Sequence, residues 1–269
     1  MWELRGLAAR RGAVAALAML LLASCASPPK DDPEALAEYQ RTNDPIEPFN
    51  RAIFNFNLGL DRYVIKPVTG FYRTVTTENA RAGVHNFLQN LRSPVIFAND
   101  LLQGQVARAG TTFGRFVINS IIGFAGFGDP ANAIGLTPHD EDFGQTLAVW
   151  GLGEGPYLVV PVLGPSNPRD LTGKVADYFL DPINWYASNT DDIWLPIGRS
   201  VVTGIDTRDQ LWYVLDDLER SSLDYYAAIR SLYRQRRMDE INNGIDSGPT
   251  PSFSEMPELT DPTAVADQR

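Results

Sequence analysis

The feature that most constrains the fold of this 269-residue chain is the spacing of its apolar side chains, which recur every three or four residues. That spacing places them on one face of a helix. A clear example begins at Asp44, which suits an N-cap and is followed by Pro45, a residue that suits the first helical turn. The apolar positions of this predicted helix are Ile46, Phe49, Ile53, Phe56 and Leu60.

The same spacing predicts helices elsewhere in the chain. One begins after Thr77, whose side chain suits an N-cap, and another covers residues 105–122. Near the carboxyl end the period continues through residues 211–232, as one long helix or as two helices with a break at residues 221–222. A short helix is expected over residues 143–150. The chain is therefore predicted to fold as a mainly α domain of amphipathic helices with Gly- and Pro-rich connections.

Strand patterns are nearly absent, and two long uncharged stretches stand out instead. The best strand candidate is residues 157–162, where Pro161 favours an edge strand or an extended loop. Residues 116–128 and 155–168 carry no charge, yet glycine and proline interrupt both. They fit either buried core with turns or a surface that lies in the interfacial layer of a membrane.

The amino terminus has the three parts of a secretory signal. Three arginines precede an uncharged run over residues 12–24, which is too short to span a bilayer comfortably. Residues 22–25 resemble a bacterial lipobox, in which Cys25 carries a covalent lipid and becomes the first mature residue. The alternative is an ordinary signal peptide followed by a chance free thiol. Ala26 at the second mature position, in place of Asp, favours sorting to the outer membrane.

Composition divides the chain into four segments. Residues 1–24 are the signal peptide, residues 25–43 a lipidated tether, residues 44–246 the folded domain, and residues 247–269 an acidic tail predicted to be disordered. The 23 basic residues against 33 acidic ones give a net charge of −10. Because phosphate contacts need a basic face, nucleic acid is excluded as a partner. Stable membrane attachment then depends on acyl chains rather than on charge.

The residues that most catalytic chemistry needs are missing or scattered. One cysteine and two histidines rule out a cysteine zinc cluster and a histidine-rich metal site. No G-x-S-x-G segment offers a hydrolase nucleophile. His139 beside the acidic residues 140–142 fits a metal or acid–base site or, alternatively, a capped loop that enters a helix. We predict a protein that is not an enzyme, with no metal and no cofactor apart from the covalent lipid on Cys25.

A set of short motifs in a fixed order indicates a family. Residues 44–51 read Asp-Pro-Ile-Glu-Pro-Phe-Asn-Arg, and residues 54–57 read Phe-Asn-Phe-Asn. The series resembles the MlaA/VacJ family of outer-membrane lipoproteins and extends over residues 43–243. It continues through five further segments, at residues 86–94, 102–104, 115–129, 142–157 and 161–166.

The resemblance implies a fold and a function. Members of the family are single, ring-like helical domains that lie in the periplasmic leaflet of the outer membrane, held there by their lipid. Their amphipathic channel removes mislocalised phospholipids from the outer leaflet and passes them to a periplasmic lipid carrier of the Mla pathway, which maintains lipid asymmetry. They associate with trimeric porins. The alternative is a scaffold lipoprotein that docks porins or envelope proteins without transport activity.

The resemblance also favours a channel or gate role for neutral polar residues of the first helix. Asparagines alternate with phenylalanines there, and amides bond a headgroup without trapping its charge. Alternatively, these asparagines cap turns or bond buried backbone groups. The glycines after the third helix give either a hinge for a gate or the end of that helix. The channel or gate candidates are Asn50, Asn55, Phe56, Asn57, Asn119, Gly123 and Gly126.

Three arginines near the carboxyl end form a separate candidate surface. Arg230, Arg234 and Arg237 share one helix face by their spacing of four and three residues. They are candidates for docking an acidic carrier surface or lipid phosphates. Alternatively, they complement the negative end of the helix dipole.

Overall fold

The computed structural model describes residues 43–244 of the chain. Helices dominate this part, with one small pair of strands, so the predicted mainly α architecture is confirmed. The signal peptide, Cys25, nearly all of the tether and the tail at residues 247–269 lie outside the described residues. The predictions for those segments stay predictions.

The predicted first helix is present, and the helical run continues well past its apolar period. Helix α1 spans Glu47–Leu60, a π-helical segment follows over Asp61–Ile65, and α2 spans Lys66–Val75. Pro67 cannot donate a backbone hydrogen bond, and it lies at the start of α2 directly after the π-helical segment, where the hydrogen-bond pattern of the run changes. The result is a continuous helical run over residues 47–75.

The next two helices form a hairpin. Helix α3 spans Glu78–Leu102 and α4 spans Val106–Ile121, and the two pack along each other. Thr77 caps α3, because its side-chain oxygen accepts a hydrogen bond of 3.3 Å from the backbone N–H of Ala80. Both predicted helices are therefore confirmed.

Short elements fill the middle of the chain. They are α5 (Pro130–Ala133), α6 (Phe143–Val149), β1 (Leu158–Val160) and β2 (Gly164–Ser166). The two strands form an antiparallel hairpin in which Val159 lies opposite Pro165, so the predicted strand at residues 157–162 is confirmed. Asp142 caps α6 by accepting a 2.9 Å hydrogen bond from the N–H of Gln145, which confirms the capped-loop interpretation of the acidic run.

Three helices follow that apolar spacing does not indicate. They are α7 (Pro168–Leu180), α8 (Pro182–Asn189) and α9 (Trp194–Gln210). The first two begin with a cap residue followed by proline: Asn167 accepts from the N–H of Asp170, and Asp181 accepts from the N–H of Ile183. The Asn-Pro and Asp-Pro pairs are thus the sequence signals for these two helices.

Helices α6 and α7 cross in backbone contact. A Cβ atom added to Gly173 in α7 would lie 2.3 Å from the backbone nitrogen of Gly144 in α6. Such a distance is too short for any side chain, so glycine is required at this crossing. The close approach brings the residues around α6 and α7 together with the last helix of the domain.

The apolar spacing predicted over residues 211–232 is divided between two helices. Helix α10 spans Trp212–Ser221 and α11 spans Tyr225–Ile241, with the break at residues 222–224. Helix α11 returns to the start of the domain, where Arg230 forms a 2.7 Å ion pair with Asp44 and Tyr226 donates a hydrogen bond to the same carboxylate. The two ends of the described chain are therefore joined by a buried charged contact.

Candidate functional site

The interior of the described domain is polar. More than twice as many polar and charged side chains as apolar ones are buried. The one cluster of buried apolar residues is small and consists of Tyr157, Val159 and Tyr226 within residues 43–244. The largest completely buried side chains are Gln145, Glu141, Asn50, Asn99, Asn167, Thr69, Thr146, Asp100 and Ser166.

Large apolar side chains lie on the outside instead. The long helical run contributes a band in which Tyr63 is 79% and Phe71 69% exposed, and α9 contributes Trp194, which is 73% exposed. The loop after α4 adds Phe124, which is 86% exposed. None of the helices within residues 43–244 is long and apolar enough to cross a bilayer. An exposed apolar surface of this extent marks a contact with a membrane or another protein.

Three neighbouring clefts with mainly polar lining residues, called cavities A to C, lie in the described domain and are partly open to its surface. Cavity A, of about 410 Å³, lies between α3 and α4, and only Ile96 and Pro138 among its lining residues are apolar. Cavity B, of about 340 Å³, shares His139 and Asp140 with cavity A. Cavity C, of about 240 Å³, shares Glu240 with cavity B. The three cavities are therefore neighbours that share lining residues.

Hydrogen-bonded charges line cavity A. His139 and Thr112 both bond the completely buried carboxylate of Asp100, at 3.0 Å and 2.6 Å. Arg115 pairs with Asp129 at 2.8 Å. Burial alone would raise the pKa of Asp129, but its bonds to Arg115 and Asn119 outweigh burial and lower the pKa below the ordinary value. The carboxylate therefore stays charged within the wall.

A second charged network joins α6, α7 and α11 beside cavity C. Arg237, which is buried, contacts Asp142 at 2.7 Å and Asp170 at 2.8 Å. Burial alone would raise the pKa of Asp142, but the hydrogen bond and charge of Arg237 outweigh it and lower the pKa. Glu141 differs, because burial raises its pKa despite its contacts with Gln103 and Arg108. The interior thus combines paired charges with one carboxyl group whose ionisation is disfavoured by burial.

Two of the predicted channel residues, Asn50 and Asn57, form hydrogen bonds to the backbone of the β1–β2 hairpin. The Asn50 amide donates to the carbonyl of Tyr157 at 3.0 Å and accepts from the N–H of Val159 at 2.9 Å. Asn57, two helical turns later, donates to Val160 at 2.9 Å and accepts from Val162 at 2.8 Å. Both amides bond backbone groups, as in the alternative drawn from the sequence. A channel or gate role for them stays a prediction.

Asn57 also supports an unusual turn. Val162 has a φ of 68°, and the N–H of Leu163 donates to the carbonyl of Pro161 at 2.8 Å, which closes a three-residue γ-turn. This turn is strained, particularly for a β-branched residue. The bond from the Val162 N–H to Asn57 therefore helps to hold a backbone conformation that the turn sequence alone does not favour.

The other channel or gate candidates lie in different environments. Asn55 and Phe56 are exposed on α1, with Phe56 57% exposed. Asn119 is buried at the wall of cavity A, where it donates to Asp129 at 2.9 Å and accepts from the N–H of Ala131 at 3.1 Å. The structure thus places Asn119 at a cavity, whereas Asn55 and Phe56 face outward.

Gly123 and Gly126 lie in the tight turn that ends α4. Gly126 has a φ of 97°, and an added Cβ would lie 2.5 Å from the Cβ of Asn90 in α3. A Cβ on Gly123 would lie 2.5 Å from the carbonyl oxygen of Asn119. Both glycines therefore fit a turn packed closely against neighbouring backbone and side chains. Their proposed role as a hinge stays a prediction.

All three docking candidates are engaged within the chain. Arg230 pairs with Asp44, Arg234 pairs with Glu154 at 2.8 Å, and Arg237 contacts two carboxylates beside cavity C. These long-range pairs join α11 to distant segments of the domain. A partner that bound these guanidinium groups would compete with those contacts, and the docking role stays a prediction.

Sequence reasoning missed one charged residue that lines cavity C. Lys174 projects from α7 into the lining of cavity C, and it lies in a segment for which apolar spacing predicts no helix. The one sequence signal that could have drawn attention to Lys174 is the rarity of lysine, since the chain has three lysines among 23 basic residues. No group of three or more His, Cys, Asp or Glu side chains suited to a metal ion occurs within residues 43–244.

Fold and site define a class of helical protein with a polar interior and an apolar exterior. The MlaA lipoprotein family model matches residues 42–240. This chain therefore belongs to the MlaA lipoprotein family, which confirms the resemblance seen in the motifs.

Similar proteins give the same result. The chain is 37% identical over 236 residues to the intermembrane phospholipid transport system lipoprotein MlaA of Escherichia coli (strain K12), covering 85% of this chain and 87% of that protein. It is 31% identical to the protein of that name from Haemophilus influenzae, covering 86% and 90% of the two chains. A solved structure that explains maintenance of bacterial outer membrane lipid asymmetry matches with a TM-score of 0.66 and 37% identity, covering 74% of this chain and 99% of that one.

The Asn57 contacts predict a stability difference between neighbouring asparagines. Asn57→Ala leaves a carbonyl and an N–H without their partner, so we expect a loss of about 1–3 kcal/mol in the free energy of unfolding. Asn55→Ala, on the exposed side of the same helix, is the control, with an expected change within about 0.5 kcal/mol. Denaturant unfolding measures both. Equal stabilities of the two variants would contradict the structural role of Asn57.

The contact between α3 and α9 predicts a pH dependence. His85 Nδ1 lies 2.8 Å from the carboxylate of Asp206, and this bond raises the pKa of His85 above its ordinary value. The His85–Asp206 contact therefore stabilises the fold fully below about pH 6.5, which is the pKa of histidine in an unfolded chain. This stabilisation is lost as the pH rises through the higher pKa of His85 in the folded protein. We expect the difference in Tm between the wild type and His85→Asn to shrink from pH 5.5 to pH 8.5. A difference in Tm that stays constant between pH 5.5 and pH 8.5 would refute the predicted pH dependence.

Proposed function

We propose that this protein removes mislocalised phospholipids from the outer leaflet of the outer membrane and passes them to a periplasmic carrier, which maintains lipid asymmetry. The observation that carries this proposal is the combination of a polar interior, neighbouring polar cavities and many exposed large apolar side chains. The names of the E. coli and H. influenzae relatives support it.

The physical reason lies in the cost of moving a headgroup through hydrocarbon. Polar and charged groups lose their hydration there, and an unpartnered polar group costs roughly 2–7 kcal/mol. A wall of amides, hydroxyls and paired charges replaces part of that hydration, as the lining of cavity A does with Asn90, Ser93 and Thr112. The apolar exterior lets the same protein rest in the acyl-chain region.

Attachment and partners are part of the proposal. A diacylglyceryl group on Cys25 would anchor the protein in the periplasmic leaflet of the outer membrane, because two or more acyl chains hold a protein stably. We infer a trimeric porin and the periplasmic carrier of the Mla pathway as protein partners. We also infer that the protein works without catalysis, since lipid movement breaks no covalent bond.

Deletion of the gene tests the proposed function in cells. We expect several-fold more phospholipid in the outer leaflet, because lipid that arrives there is no longer removed. A membrane-impermeant reagent that labels lipid amines at the cell surface measures this amount. The intact gene supplied on a plasmid should restore the original level. Unchanged surface labelling in the deletion strain would contradict the proposal.

Reconstitution separates transport from scaffolding. Purified full-length protein in vesicles should speed the transfer of labelled phospholipid to the purified carrier. A scaffold would co-purify with porin and leave the transfer rate unchanged. That result would replace the transport proposal with the scaffold alternative.

A further inference from the structure

The hairpin formed by α8 and α9 carries three exposed aromatic side chains beside its polar turn. Trp185 and Tyr186 of α8 are 61% and 62% exposed, and Trp194 is the first residue of α9. Helix α9 contacts α2 and α3 through the ion pairs of its second half. Nearly every residue from 191 to 204 is exposed, so little of the described domain covers the first half of α9.

One face of this exposed half-helix is apolar. Trp194, Ile197 and Val201 follow each other at intervals of three and four residues, which places them on one side of α9. All three are exposed. Contact with water costs free energy in proportion to the apolar area, so an apolar environment against this face stabilises the protein.

The exposed rings also have polar edges that need hydrogen-bond partners. The indole N–H groups of Trp185 and Trp194 bond no residue between 43 and 244. Trp150 differs, because its Nε1 donates to the carbonyl of Leu102 at 3.1 Å. Hydrocarbon would cover the rings and leave the N–H groups unbonded, whereas water would bond the N–H groups and leave the rings uncovered. The boundary between lipid headgroups and acyl chains provides both contacts.

The turn between the two helices determines which end of the hairpin faces water. Asp192 accepts hydrogen bonds from the backbone N–H groups of Trp194 and Leu195, at 3.0 Å and 3.2 Å, so its carboxylate lies at the start of α9. Asp191 precedes it with a φ of 54°, a conformation that aspartate tolerates, and its side chain is exposed. Carboxylates are costly in hydrocarbon, so the turn lies on the aqueous side of the rings.

The charges around the rings favour a lipid surface over a protein partner. Asp191 and Asp192 are the only charged residues between positions 182 and 198. A protein that covered the rings would also cover these neighbouring carboxylates, and charged residues are depleted from the cores of protein interfaces. The hydrated headgroup layer accepts aromatic rings and carboxylates side by side. With no lysine or arginine there, attachment depends on the rings and not on attraction to anionic lipid.

We propose that the three rings of Trp185, Tyr186 and Trp194, here called the aromatic anchor, lie in the headgroup layer of the periplasmic leaflet. The acidic turn then faces the periplasm, and the apolar face of α9 enters the acyl chains. Val201 follows Trp194 by seven residues, which is about 10 Å along the helix axis. This inference rests on the proposed membrane attachment and adds a second anchor, with its depth and orientation, to the lipid on Cys25.

Fluorine NMR of the full-length, acylated protein in lipid nanodiscs tests this placement. Fluorotryptophan labels Trp150, Trp185, Trp194 and Trp212 of the predicted mature chain, and single Trp→Phe variants assign the signals. A nitroxide on the lipid headgroup should broaden the Trp185 and Trp194 signals more than the same nitroxide at the end of an acyl chain. Trp212 packs against Arg73 and Arg208 and is the internal control, with little broadening by either lipid.

The other NMR outcomes overturn the inference. Stronger broadening of Trp185 and Trp194 by the chain-end nitroxide would place the rings in hydrocarbon. Broadening by a water-soluble paramagnet alone would place them in water. Loss of the lipid effect when purified porin is added, with new shifts of both signals, would make this face a protein interface.

Binding to vesicles measures what the rings contribute. The acyl chains are removed with Cys25→Ala, so that attachment of the full mature chain to phosphatidylethanolamine-containing vesicles depends on the domain. Adding Trp185→Ser and Trp194→Ser together should weaken binding about tenfold, because both rings lose their apolar cover. Leu223→Ser is the control, since Leu223 is a fully exposed apolar residue at the α10–α11 turn, beside Asp224. Equal binding of the ring variant and the Leu223 variant would overturn the inference.

Lipid transfer to the carrier, measured on the same nanodiscs, separates this inference from the transport proposal. Transfer by the wild type without the expected broadening would remove the aromatic anchor and leave transport standing. The expected broadening without any transfer would contradict transport and leave the anchor standing.

Discussion

The pairing of buried charges is the constraint on which this structure depends. Arg237 bonds Asp142 and Asp170, and Arg230 bonds Asp44, so helix α11 is attached to α6, α7 and the start of the domain. Removing one partner of a buried pair leaves an uncompensated charge and typically costs about 3–5 kcal/mol. Because a polar interior offers little hydrophobic stabilisation, correct pairing determines whether these segments stay together.

This interior has a consequence for the surface. The apolar side chains that amphipathic helices must carry have few places inside, so residues such as Phe71 and Trp194 remain exposed. Helix α1 has an apolar outer face and a polar inner face. Phe49 and Phe56 are exposed, while Asn50 and Asn57 form hydrogen bonds to the backbone of the β1–β2 hairpin. Helix α4 lines a cavity as well, since Thr112 and Arg115 contribute to cavity A while Phe113 and Ile121 of the same helix are exposed.

The apolar spacing predicts which segments form amphipathic helices. It does not predict whether the apolar faces of those helices point inward or outward. The spacing from Ile46 to Leu60 specifies an amphipathic helix, but water-soluble proteins turn the apolar face inward, and nothing in the spacing reverses that choice. The roles of Asn50 and Arg230 depend on partners more than 100 residues away, which no local pattern reveals. Helices α7 and α8 are readable only from their cap–proline pairs, Asn167–Pro168 and Asp181–Pro182.

Site-directed spin labelling of the protein in lipid bilayers tests the central claim most directly. Cys25 is the only cysteine and is acylated in the proposed mature form, so a label at Phe71→Cys or at Ser93→Cys, a buried position in the wall of cavity A, reports on one position. The account predicts that collisions with oxygen dominate at residue 71 and that collisions with a water-soluble nickel complex dominate at residue 93. Water-like accessibility at residue 71, or oil-like accessibility at residue 93, would contradict a protein with a polar interior and a lipid-facing apolar surface.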